Sequence, residues 1–438
     1  MIKQLAALAL TSVFLAGCGG PEGSTGKAGG SKVEVAAFAG GYGIDFYQKA
    51  GLEFEKVTKG VTVVVDGGPR VWEQLQPRFV SGDVPDVTFP GWGFDHWTAA
   101  YEGQLKDLTA DLDGKPFSGE GKWRDAFIPS ILRLGEYDGK QYVLPYYVSV
   151  TGWWYDPGLF ARQGLTPPNT FEELLEVGAK LKAKGLAPIT FQGKYPDYML
   201  EGFLVPWIIS AGGMQALDDC QALRDGAWNS SAVLTAAQMI AQLRDLGYFQ
   251  KGATSMDHTQ SQTEFVNGRA AMIPCGSWLY AEMKDKMPST AKMAFLPVPV
   301  PARSIGDKTA VGIRIEPWMI PSGAKNPQRA VEFFKFLTSE ENVKKFSEEK
   351  GALMALKGTD VSKLPEANQK AAEALANSRA IWSAEYRSWY KDFNKELEGA
   401  MSSLLSGELT PEAFCDRVEK KAAETRADPD VKKRTISH

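Results

Sequence analysis

Histidine is scarce and scattered in this chain, with only His96, His258 and His438 among 438 residues. Cysteine is nearly as rare, at four, and neither type falls into a metal-ligand spacing, which excludes a conventional zinc site. Charge of one sign is also missing: 49 Lys and Arg stand against 53 Asp and Glu, for a net charge of −4. That balance argues against a nucleic-acid partner and against a polybasic membrane surface. No apolar run reaches the roughly 18 to 20 residues that a transmembrane helix needs. The common hydrolytic signatures HExxH, G-x-S-x-G and an ordered Ser-His-Asp set are absent. Gly26-Lys27 is followed by Ala28, where a phosphate loop needs Ser or Thr, and no strand precedes it. No cofactor and no metal are expected.

What the chain does have is length and aromatics. Its length exceeds what one core usually organises, so two lobes are the natural reading. Twelve Trp, 14 Tyr and 22 Phe are a surplus that needs a reason. The N-terminus is the sharpest local signal. Lys3 supplies a charge, Leu5 to Leu15 a short apolar stretch, and Leu15-Ala16-Gly17-Cys18 a small-residue end. This reads as a signal peptide over residues 1–18. Its ending looks like a bacterial lipobox, in which Cys18 carries the lipid and several acyl chains anchor the protein. Residues 19–31 follow as a flexible Gly/Ser tether. Export leaves Cys220, Cys275 and Cys415, an odd number that permits at most one disulfide.

From Ser31 the organisation is α/β. Val33 to Phe38 is strand-like, Ile44 to Thr58 has helical apolar spacing, and Val61 to Val65 is a β-branched run. A helix from Arg70 to Val80 and a strand at Asp86 to Phe89 complete an open parallel sheet. Ligands of such sheets sit beyond the carboxyl ends of the strands. Those ends carry Gly40-Gly41-Tyr42-Gly43 and Pro90-Gly91-Trp92-Gly93, each an aromatic set among glycines. Two extended runs from Lys140 to Asp156 succeed one another without a tight turn, which predicts a hinge crossing at Val148 to Gly152. Thr170-Phe171-Glu172-Glu173 reads as a capping box. Ala270 to Cys275 is strand-like and delivers Gly276-Ser277-Trp278. Proline-rich Phe295 to Arg303 reads as a second crossing, and Ala310 to Ile320 as the returning strand. Helices are expected at Asn326-Pro327 onward, Glu366 to Leu375, Ile381 to Leu405 and Thr410 to Ala427. The implied lobes are 32–148 with 304–358, and 149–303 with 359–438. Trp92, Trp278 and Trp389 lie beside glycine or polar residues and are candidate ligand platforms, whereas Trp123, Trp207 and Trp228 read as structural.

The succession of the lipobox, Val33 to Phe38, Phe54-Glu55-Lys56, Asp86-Val87, Trp154-Tyr155-Asp156, Phe265 to Trp278 and Ala324-Lys325-Asn326-Pro327 resembles the family 1 extracellular solute-binding proteins, relatives of the maltose-binding protein. Ala271 to Trp278, Glu316 to Pro321, Tyr386 to Tyr390 and the tail Asp428 to Lys433 are similar to N-acetylglucosamine/diacetylchitobiose-binding lipoproteins. The resemblance implies a two-lobe periplasmic-binding-protein fold of type II and no catalytic apparatus. It implies a carbohydrate ligand, the transmembrane subunits of an ABC permease as partners, and an extracytoplasmic monomer anchored to the bacterial cell membrane by the Cys18 lipid. It also points to Tyr42, Asp95, Ser149, Glu201, and Arg314 or Glu316 as the polar rim of the site. Sugars suit such a set, because pyranoses offer an apolar face to aromatic platforms and a polar edge to a few fixed groups. Two rivals stay open: a receptor of the same fold for another sugar, a peptide or a polyamine, and a secreted carbohydrate-active enzyme using carboxylates such as Asp95 with Glu201. Charged ligands would require a charge-lined cleft.

Overall fold

The computed structural model describes residues 31–91 and 93–434. Cys18, the signal segment, the tether up to residue 30, and Trp92 lie outside the described residues. Strand β1 (Ser31–Phe38), helix α1 (Asp45–Val57), strand β2 (Val61–Gly68), helix α2 (Val71–Ser81) and strand β3 (Val87–Phe89) form the expected opening unit. β1 lies between β2 and β3 and runs parallel to both. Apolar residues in α1 recur at helical spacing, so Phe46, Tyr47, Ala50 and Phe54 fall on one buried face. Helix α3 (His96–Tyr101) follows β3 and brings Trp97 to the lobe's inner side.

The crossing at Val148 to Gly152 is not a break but the middle of one strand, Leu144–Tyr155. Its partners change along its length. Tyr147 and Val148 pair with Met354 and Leu353, while Thr151 to Tyr155 pair antiparallel with Gly276 back to Met272. The strand Val311–Trp318 runs antiparallel beside it, with Arg314 opposite Ser149 and Gly312 opposite Thr151. These two strands join the lobes. The segment expected as the second crossing, Phe295 to Arg303, stays with the second lobe instead. Ala294–Leu296 pairs with Trp153–Tyr155, Val300 bridges Thr170, and the Trp207 indole donates to the Pro299 carbonyl at 2.9 Å. Its prolines cannot donate to a central ladder, and their carbonyls are used locally. Val311–Trp318 makes the return.

The second lobe packs helices Phe171–Ala183, Val205–Gln221, Ser231–Asp245, Lys391–Ser406 and Pro411–Ala427 around Ala270–Gly276. Thr170 caps its helix through Glu173 N–H at 3.2 Å, but Glu173 reaches back to Asn169 rather than to Thr170, so the capping box is displaced by one residue. Trp123, Trp207 and Trp228 are fully buried, and each indole N–H has a partner: Thr338, Pro299 and Cys220 respectively. Cys220, Cys275 and Cys415 are buried free thiols.

The single helix expected over Ile381 to Leu405 is wrong. Ile381–Trp382 forms an edge strand parallel to Val311–Gly312, Tyr386–Trp389 is one helical turn, and Tyr390 at φ −137° breaks the path before the long helix begins at Lys391. The turn is held from outside: the Glu385 and Tyr386 N–H groups both donate to Gln221 Oε1. Tertiary pairing outweighs a helical pattern here.

Candidate functional site

Between the lobes lies a cavity of about 1090 Å³, lined by both lobes and floored by the two joining strands. Of the residues singled out above, Tyr42, Ser149, Glu201, Trp278, Arg314 and Glu316 line it. Trp278 follows the strand Ala270–Gly276 and faces Tyr198 edge-on at 6.1 Å. The Arg314 guanidinium lies 5.6 Å from its ring centre. Gly276 makes the arrangement possible, since a Cβ there would meet the Trp278 ring at 1.9 Å. Tyr42 is 4% exposed and packs against Tyr147 at 4.8 Å, so it serves the first core as well as the cavity wall.

Glu201 and Arg314 belong to a buried chain of charges. Glu201 accepts from Arg314 Nε at 2.6 Å and from Arg387 Nη1 at 2.6 Å, and Arg387 also pairs with Asp197. Despite its burial, Arg387 is held firmly protonated by Asp197 and Glu201. The cavity is thus more charged than the sequence candidates imply, and Glu398 joins the chain: burial and Asp197 push its carboxyl up to about 7, with Arg387 pulling the other way. Burial pushes the Glu316 carboxyl up to about 8, with Tyr147 and Arg314 pulling the other way. Glu282 is likewise raised by burial, opposed by its hydrogen bond from Gln262 at 2.6 Å. Ser149 is 1% exposed and its Oγ has no hydrogen-bond partner.

Two candidates sit elsewhere. Asp95 caps α3, accepting from Thr98 N–H at 2.9 Å, and Trp389 packs half-buried against the second lobe's core. With Asp95 used as a cap and Glu201 held between two guanidiniums, the carboxylate pair of the enzyme reading is not assembled as an acid and base. Sequence reasoning missed Phe38, Trp72, Trp97, Tyr198 and Arg387, all of which line the cavity. Trp72 was accessible to the strand-end argument, since it opens α2 just beyond the carboxyl end of β2. Gly93 leaves room for it: a Cβ there would meet the Trp72 ring at 2.5 Å. Tyr198 and Arg387 carried no local signal.

Two α/β lobes joined by paired strands around an aromatic-walled cavity define a hinged solute-binding protein of the maltose-binding-protein type. The chain belongs to the bacterial extracellular solute-binding protein family, whose profile matches residues 40–344. It is 27% identical to the diacetylchitobiose binding protein NgcE of Streptomyces coelicolor, over 94% of this chain and 88% of that protein. It is 26% identical to the multiple sugar-binding protein of Streptococcus mutans, over 90% of this chain and 91% of that one. Among solved structures, a chitin oligosaccharide binding protein superposes with a TM-score of 0.71 at 23% identity, covering 87% of this chain and 94% of that one. RafE in complex with raffinose gives 0.70 at 20%, covering 90% and 100%. Among the described residues no helix is long and apolar enough to cross a membrane.

Proposed function

We propose that this protein is the sugar receptor of an ABC importer, capturing a saccharide of the N-acetylglucosamine/chitobiose class between its lobes and delivering it to the permease. The observation that carries the reading is the pairing of aromatic surfaces from both lobes, Trp72 and Trp97 on one side and Tyr198 and Trp278 on the other, around one cavity. Aromatic faces take the apolar side of a pyranose, and groups such as Glu282 and Ser149 take its hydroxyls. The name of the Streptomyces relative supports the same ligand class, and that of the Streptococcus relative supports a sugar ligand. Ligand favours the closed state only by its differential affinity for it, so contacts from both lobes are what convert binding into closure. The protein performs no catalysis in this reading. Cys18 anchors it to the bacterial cell membrane, on the extracytoplasmic side, as a lipoprotein, and it acts as a monomer.

The test is a thermal-shift screen of the mature body against N-acetylglucosamine, chitobiose, maltose, cellobiose, xylobiose, spermidine and a dipeptide. A ligand at 100 times its Kd adds about 2.7 kcal/mol of stability. Stabilisation by N-acetylated sugars supports the full reading. A response to another sugar keeps the receptor and discards the ligand class, and a response to spermidine or the dipeptide alone overturns the sugar reading.

A further inference from the structure

We infer that residues 431–434 form a strap that holds the two lobes together at one side of the cleft, whatever ligand the cleft takes. The segment is rooted on the second lobe. It follows the helix Pro411–Ala427, Val431 packs on that lobe's core, and the Arg434 N–H donates to the Tyr390 hydroxyl at 2.9 Å. Tyr390 is itself buried in the same core. From this root the side chains reach across to the first lobe. Lys432 Nζ lies 4.2 Å from the Tyr101 ring centre and 4.8 Å from that of Tyr137, and it donates to the Tyr137 hydroxyl. The Arg434 guanidinium lies 5.3 Å from the Tyr137 ring centre. Both cations are therefore within range of attraction by a ring face. The receiving surface is built from defined elements. Tyr101 closes helix α3, and Tyr137 stands in a hairpin that pairs Glu136 with Gln141 and Tyr137 with Lys140. Its two turn residues, Asp138 and Gly139, have φ of 52° and 73°, the two-residue turn whose twist matches that of the strands.

Beside the strap the lobes also touch directly. The Trp97 indole of α3 donates to the Glu385 carboxylate at 3.3 Å, and Glu385 is tied to the second lobe through Gln221 Oε1. Trp97 and Glu385 both line the cavity, so this contact lies at the cleft and parts when the lobes do. Arg434 is 8% exposed beside it. Burial works against its charge, while Asp95 and Tyr137 of the first lobe, and Tyr390 and Glu385 of the second, work for it. Its Nε and Nη1 have no hydrogen-bond partner, so it can leave the first lobe without breaking a bidentate pair. Opening the cleft separates Lys432 and Arg434 from Tyr101 and Tyr137. The strap thus favours the closed state by contacts made only there, and it does so without touching ligand.

The test compares full-length Lys432→Ala/Arg434→Ala with Lys433→Ala, which removes a neighbouring charge whose Nζ donates to the Asp428 and Val431 carbonyls of its own segment. Small-angle scattering of the ligand-free double variant should show expansion, and dissociation of the sugar that the screen identifies should be about tenfold faster by stopped flow. Lys432→Ala alone, at an exposed position, should shift both in the same direction by less. Lys433→Ala should change neither, and circular dichroism melts check that each variant is folded. Unchanged dimensions of the folded double variant overturn the strap even with no ligand in hand. An unchanged off-rate, or an equal effect from Lys433→Ala, overturns it as well, and none of these results bears on which solute the cleft binds.

Discussion

Arg387→Ala is the perturbation that most directly probes the buried charge chain. The Arg387 side chain is 15% exposed, and its partners Asp197 and Glu201 are 9% and 4% exposed. Truncation removes two charge-assisted bonds and leaves two nearly buried carboxylates at the cavity wall short of a partner. Removing one partner of a buried pair costs about 3–5 kcal/mol. Glu201 keeps Arg314 at 2.6 Å, so the lower end, about 3 kcal/mol, is expected. In a protein of this size that lowers the melting temperature by about 3–4 °C. The pH dependence carries the mechanism. Glu398, whose carboxyl burial and Asp197 push up to about 7 while Arg387 pulls it down, loses that pull in the variant and is raised further. The stability deficit is then full above that raised value and shrinks as acidification protonates the carboxyl. Arg387→Lys, which keeps the charge but not the fork, should fall between. Differential scanning calorimetry of both variants from pH 8 to pH 5 measures this. A loss below about 1 kcal/mol, or a deficit that grows on acidification, refutes the reasoning.

Gly276→Ala should weaken sugar binding by about tenfold or more with the fold retained, because the new methyl displaces the Trp278 ring; calorimetry with the best ligand checks it. Glu316 gives a stability slope. Its folded pKa of about 8 exceeds the ordinary carboxyl value, so the folded state holds a proton that the unfolded chain has lost, and stability falls as pH rises from about 5 to about 8. Glu316→Gln should flatten that fall, and an identical slope in the two proteins would rule this origin out.

Much of the fold was legible in the chain because it is encoded locally. The period-2 and helical spacings from Ser31 to Phe89 specify the parallel sheet. The apolar run Leu204 to Ile209 specifies Trp207 as a core position, whereas Trp123 and Trp228, flanked by polar and charged residues, are buried by partners that only the fold supplies. The failures were also physical. Ile381 to Leu405 has helical spacing, but Trp382 pairs with Gly312 and Gln221 holds the turn at Glu385, partners distant in sequence. Asp95 looked like a polar rim residue but serves as a helix cap three residues from Thr98.

By itself, the sequence determined the alternation of strands and helices, the balanced charge, and glycine-flanked aromatics at strand ends, since each depends only on near neighbours. Only the tertiary structure decided which side chains meet across the cleft. Trp72, Tyr198 and Trp278 are far apart along the chain, and Arg387 reaches Glu201 from 186 positions away. Such convergence depends on how two lobes are set against each other by a pair of joining strands. No periodicity or spacing within one segment records that placement.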